Sequence, residues 1–197
     1  VWPLLQAWNV PALWAPVGSW VDTPANQKVN FGGLMTPRDR FATWDMVREL
    51  SRSPLVEIGS HTWASHYGIP ANPQGSREPA IANRFFDNAT GHYETDEHFN
   101  QRIAADVRKV TEKITQVTGK APRAWVWPYG AANGTSLAIA QKQGYQLAFT
   151  LEDGLANVRD LGNIPRLLIA GNPSIKTFAN TVSRVQEFDP VRVMHVD

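Results

Sequence analysis

The chain has 197 residues, 43% hydrophobic and 19% charged, a balance that allows a core of ordinary size and excludes an intrinsically disordered chain. Nineteen Lys and Arg against 18 Asp and Glu leave a net charge of +1, so no basic face calls for nucleic acid or an anionic membrane, and a neutral partner fits better. Cysteine is absent, which excludes disulfides, thiolate metal sites and a cysteine nucleophile.

The opening Val1-Trp2-Pro3-Leu4-Leu5-Gln6-Ala7-Trp8 reads as the end of a helix that lacks its preceding strand, so the domain is expected to begin mid-motif. Nothing in it has the basic-then-apolar order of a signal peptide; any export signal has been removed or lies upstream. Residues 12–21 form an apolar, aromatic strand closed by Asp22-Thr23-Pro24, and a long loop follows. Thr43 caps a helix over 44–52, and Leu55–Ile58 is a short strand delivering Gly59-Ser60-His61 at its C-terminal end. Residues 67–95, rich in Gly, Pro, Asn and Ser, read as a long loop. Thr95 caps the clearest helix, with Phe99, Ile103, Val107, Val110, Ile114 and Val117 at steps of four and three and Gly119 closing it. Strand Ala124–Trp127 stops at Pro128, and a helix over 135–143 ends at Gly144. Strands at Leu147–Leu151 and Ile164–Ile169, a helix over 174–187 and a strand at Val191–Val196 complete the pattern. The alternation predicts one α/β domain over 1–197: a parallel sheet covered by helices, open or closed into a barrel.

Two segments could carry chemistry. Ser60-His61-Thr62-Trp63-Ala64-Ser65-His66 places two imidazoles five positions apart, within the range of zinc-type sites. On a helix that step turns the second side chain about 140° from the first, and no His-Glu-x-x-His is present. A strand end followed by a tight turn can bring the rings together, with Thr62 and Ser65 offering hydroxyls to hold the loop; two unrelated loop histidines would show the same spacing. Trp125-Val126-Trp127-Pro128-Tyr129-Gly130 is the second segment. Pro128 and Gly130 bracket Tyr129, whose backbone N–H could serve as an oxyanion-stabilising donor, and a plain strand-to-turn transition would look alike. Eight Trp suit either a sugar-binding cleft or ordinary core filling.

Together these segments resemble the polysaccharide deacetylase family, carbohydrate esterases built on a NodB-type distorted (β/α) barrel. WAPVGSWVDTP at 14–24, SHTWASHYGIPAN at 60–72, VWPYGAANG at 126–134 and FTLEDGLAN at 149–157 are similar to the branch of exported poly-β-1,6-N-acetyl-D-glucosamine N-deacetylases of biofilm-forming bacteria. In that family a His-Ser/Thr-x-x-His element gives two metal ligands; here His61-Thr62 is its counterpart, with His66 one residue later.

The resemblance implies hydrolytic N-deacetylation assisted by a divalent metal, Zn, Ni or Co, with His61 and His66 as ligands and the Tyr129 backbone N–H as oxyanion donor. It implies a poly-N-acetylglucosamine polymer as partner, together with an export porin and a second glycan-binding or hydrolase domain, and a periplasmic or outer-membrane-associated location. Two departures stand out. Val126 occupies the place of an Arg that orients the family's catalytic Asp, and the family's Asp-Asp pair has no counterpart, since Asp22, Asp39 and Asp45 follow no suitable strand. In the biofilm branch the barrel is circularly permuted, so the base Asp, the third ligand and the acid His are expected upstream of Val1. His195 is near a strand end and would suit the acid role in the family's ordinary motif order, but the permuted order favours a structural role for it; His92 and His98 are assigned no role. Nothing distinguishes Glu152, Asp153 and Arg166 from residues of loop salt bridges. The alternatives are a catalytically degenerate carbohydrate-binding barrel and a glycosidase using Glu57 and Glu152.

Overall fold

The computed structural model describes residues 2–186. Helix α1 (Trp2–Ala7) leads into β1 (Ala12–Trp14), and α2 (Gly18–Asp22) follows at once. The expected strand over 12–21 therefore ends early: Pro16 has no N–H for a ladder and fixes its own φ, and the chain turns into a helix two residues later. The expected loop after it contains a hairpin, β2 (Lys28–Phe31) antiparallel to β3 (Leu34–Pro37). Its two-residue turn is Gly32-Gly33, both at positive φ (59° and 94°), a conformation that matches the strand twist and that glycine adopts without steric cost.

Helix α3 (Trp44–Leu50) is capped as expected, the Thr43 hydroxyl accepting from Met46 N, and β4 (Val56–Ile58) follows. The segment expected to be a loop over 67–95 folds into two small hairpins, β5 (Gly68–Pro70) with β6 (Arg77–Pro79) and β7 (Phe86–Asp87) with β8 (His92–Tyr93). Strands this short leave no period for a sequence reading to find.

Helix α4 (Asp96–Thr118) matches its expected bounds, with Thr95 accepting from His98 N and Gly119 as C-cap. All six periodic apolar residues are buried, and they form the core with Val47, Ile58, Ile81, Trp125, Trp127 and Tyr145. Trp125 and Trp127 are thus core residues rather than cleft walls: Trp125 stacks edge-on against Tyr145 at 5.1 Å and Trp127 at 5.9 Å. The remaining elements are β9 (Ala124–Val126), a 3₁₀ turn at Pro128–Gly130, α5 (Gly134–Lys142), β10 (Leu147–Phe149) and α6 (Ile175–Gln186). Of the strand expected at Ile164–Ile169, only a bridge from Phe149 to Ile164 forms. The strand expected at Val191–Val196 and His195 lie outside the described residues.

The parallel pairing is present. β1 runs parallel to β4 and β9 parallel to β10. A bridge joins the two pairs, with Ser60 N donating to Ala124 O at 2.9 Å and Val126 N to Ser60 O at 2.8 Å. The C-terminal ends of β1, β4 and β9 therefore converge where His61 and Tyr129 lie, the end at which parallel α/β folds gather their sites.

Candidate metal centre

His61 leaves the sheet one residue after that bridge. Its backbone N donates to Pro16 O at 3.1 Å, and its ring Nδ1 lies 2.7 Å from Val126 O. A carbonyl can only accept, so Nδ1 carries the proton and Nε2 keeps its lone pair. The loop then returns His66 to within 4.8 Å of His61, measured between ring centroids. Trp20 at 4.8 Å and Tyr129 at 4.4 Å enclose the His66 ring. Its Nδ1 is buried and has no hydrogen-bond partner among the described residues.

Burial makes both imidazoles harder to protonate. It holds His66 below the ordinary histidine value and takes His61 down to about 4, with the Val126 hydrogen bond opposing and the neighbouring His66 and Arg166 adding slightly to the fall. Both rings are neutral at pH 7, the form a metal requires. Because folded His61 protonates at lower pH than the unfolded residue, the unfolded chain binds the extra proton between those values. Metal-free protein should therefore lose stability as pH falls from about 6.5 to about 4, with a contribution from His61 of about 3 kcal/mol. Urea unfolding across that range in wild type and His61→Gln checks this; equal acid sensitivity in the two would contradict it.

The loop between the imidazoles is held from two sides. Thr62 sits at φ +72°, a strained conformation for a β-branched residue. On one side, Gly18 N and Ser19 N at the start of α2 donate to Thr62 O at 3.0 Å and Trp63 O at 2.7 Å. On the other, the Asp106 carboxylate of α4 accepts from Trp63 N, Ala64 N and the Ser65 hydroxyl, each at 2.8 Å. Burial raises the pKa of this carboxyl despite its three donors. Of the two hydroxyls suggested by the sequence, Ser65 holds the loop through Asp106, whereas Thr62 Oγ1 is buried and unpartnered among the described residues. Asp106 escaped sequence reading because it sits beside the apolar stripe of α4, where an acidic residue looks like an ordinary solvated flank.

Tyr129 takes φ 57° within its 3₁₀ turn, and its hydroxyl donates to His66 O at 3.4 Å. A groove of about 620 Å³ opens there, walled by Trp20, Asn30, His66, Tyr67, Arg77 and Tyr129. Arg166 stands at the end of β10, its Nε donating to Thr150 O at 3.0 Å. The glycosidase candidates do not face this groove together. Glu57 forms a two-pronged pair with Arg123 (2.8 and 2.9 Å) and lines a separate cavity near the opposite ends of the strands, while Glu152 accepts from Asn163. His92 lies in β8, and His98, in the first turn of α4, approaches Glu94 at 3.0 Å. Among the described residues no third His, Asp or Glu joins the His61–His66 pair.

Fold and site together define a parallel α/β domain whose strand ends carry a half-buried, neutral imidazole pair beside an aromatic groove. The chain belongs to the polysaccharide deacetylase family, whose model matches residues 1–148. It is 51% identical over all 197 residues to the poly-β-1,6-N-acetyl-D-glucosamine N-deacetylase of Escherichia coli (strain K12), and spans 29% of that protein's length. The structure resembles the de-N-acetylase from Aggregatibacter actinomycetemcomitans, with a TM-score of 0.83 and 38% identity over 91% of this chain and 68% of that one. It also resembles the BpsB deacetylase domain from Bordetella bronchiseptica, with a TM-score of 0.79 and 39% identity over 85% and 64% of the two chains. The architecture is accordingly the distorted (β/α) barrel of the NodB-type deacetylases.

Proposed function

We propose that this chain forms part of a metal-dependent N-deacetylase acting on poly-β-1,6-N-acetyl-D-glucosamine in the production and export of biofilm matrix. The observation that carries the reading is the His61–His66 pair at the strand-end groove, in a chain 51% identical over its whole length to proteins of that name. The pair fits a divalent ion. His61 is neutral and presents Nε2, while His66 has an orphaned buried nitrogen, a donor set lacking an electrophile. Zn, Ni and Co all suit imidazole with carboxylate, and the third ligand, the base Asp and the acid His come from outside the described residues. When bound, the ion supplies a Lewis acid for the acetamide carbonyl and lowers the pKa of a bound water.

The chain's own residues do the rest. His61 is fixed in one tautomer by Val126 O, and His66 is walled by Trp20 and Tyr129. The Tyr129 backbone N–H is the donor to the developing oxyanion. Trp20 and Tyr67 offer ring faces to the C–H faces of a pyranose, and Asn30 and Arg77 offer polar groups to its rim. A periplasmic or outer-membrane-associated location, an export porin and a second glycan-binding or hydrolase domain belong to the same reading. The second reading, a degenerate carbohydrate-binding barrel, draws support from Val126 and from the incomplete ligand set of the described residues. Acetate release from defined N-acetylglucosamine oligomers by the full-length protein, with and without a chelator, separates the two. Chelator-sensitive release is expected; oligomer binding without release from metal-supplemented protein would establish the binding barrel instead.

A further inference from the structure

We propose that Asp106 is a positioning residue for the metal site: by gripping the loop between His61 and His66 it sets the separation and orientation of the two imidazoles. The inference rests on the metal reading of the pair. Asp106 belongs to α4, some 40 residues along the chain from the loop it holds, so neither local propensity nor sheet pairing accounts for the contact. All three bonds fall on Trp63, Ala64 and Ser65, the residues that follow strained Thr62 and precede His66. A carboxylate is suited to this role because it only accepts and has lone pairs for several donors at once. The helix it stands on is the most deeply anchored of the fold, with Ile103, Val107 and Val110 fully buried on either side of it in sequence. Lys109, one turn further on, lies 4.3 Å over the Trp63 ring and holds the same loop residue from the side-chain direction. The opposite edge of the loop is held by the α2 amides at Thr62 O and Trp63 O. Those bonds remain when Asp106 changes, so the loop is expected to loosen without leaving the sheet.

Asp106→Asn preserves shape while replacing one acceptor oxygen with an NH₂ that confronts an N–H donor. Two measurements on the protein test the role. In the metal-free state, amide exchange at Trp63 and Ala64 should quicken at least ~10-fold, and the ring NMR shifts of His61 and His66 should move. In titrations with Zn²⁺ or Co²⁺, the affinity should fall ~10–100-fold, the range typical when a partner that orients ligands is lost, and activity should return towards wild type at saturating metal. Ser65→Ala, which removes one donor and keeps the carboxylate, should give a smaller loss in the same direction and serves if Asp106→Asn fails to fold. Unchanged exchange and ring shifts would overturn the proposal. So would faster exchange with metal affinity within about threefold of wild type, since the clamp would then serve the fold alone. A wild-type protein that binds no metal would refute the metal reading itself, leaving the exchange and ring-shift results to decide whether Asp106 governs the pair.

Discussion

Replacing His61 or His66 with Ala is expected to abolish stoichiometric metal binding and lower deacetylation by at least ~10³-fold, because a Lewis-acid metal contributes several kcal/mol to stabilising the transition state. The fold should survive. His61 makes one side-chain hydrogen bond, to Val126 O, and leaving that carbonyl unpaired costs about 1–3 kcal/mol. His66 makes no ring hydrogen bond through Nδ1 and mainly contacts Trp20, Tyr129 and His61, so its truncation leaves a small gap at the groove edge. Metal analysis after gel filtration and a circular-dichroism melt test both halves of the expectation. Full metal content in both variants would remove the pair from the ligand set.

The second large effect is expected at Gly130. Its φ of +73° is one that other residues adopt at a cost, and a Cβ there would stand 2.6 Å from the Leu151 Cβ and 2.8 Å from the Leu151 backbone N. Backbone cannot move aside as a flexible side chain does, so Gly130→Ala must displace either the Pro128–Gly130 turn or the exit of β10. Strain and clash together should cost about 2–4 kcal/mol, lowering the Tm by roughly 5–15 °C in a domain of this size. Activity should fall with it, because the displaced turn carries Tyr129, which touches His66. Gly134→Ala is the control: nothing lies within 4 Å of a Cβ at that first position of α5, so it should be neutral or slightly stabilising. A Gly130→Ala protein that melts with wild type would mean that the turn tolerates a side chain.

The parts legible in the sequence were those with a long period or a strong local signal. Helix α4 declared itself through six apolar residues and two caps, and the imidazole pair through its place after β4. The hairpins were not legible, because strands of two to four residues carry no measurable alternation, though the Gly32-Gly33 turn was a visible cue for one of them. Asp106 was hidden for another reason. Its role depends on which loop packs against which helix, a property of tertiary arrangement that no local pattern encodes. The eight Trp were ambiguous by nature: the sequence could not say that Trp125 and Trp127 fill the core while Trp20 lines the groove.

Helix α4 has a consequence for how the protein fails. At 23 residues it is a rod of about 35 Å, and it supplies one side of the core with one face and the grip on the histidine loop with its flank. Site and scaffold therefore share a single cooperative unit. Heat should not silence the centre while sparing the barrel, and substitutions deep beneath the helix, far from any ligand, will register as lost chemistry.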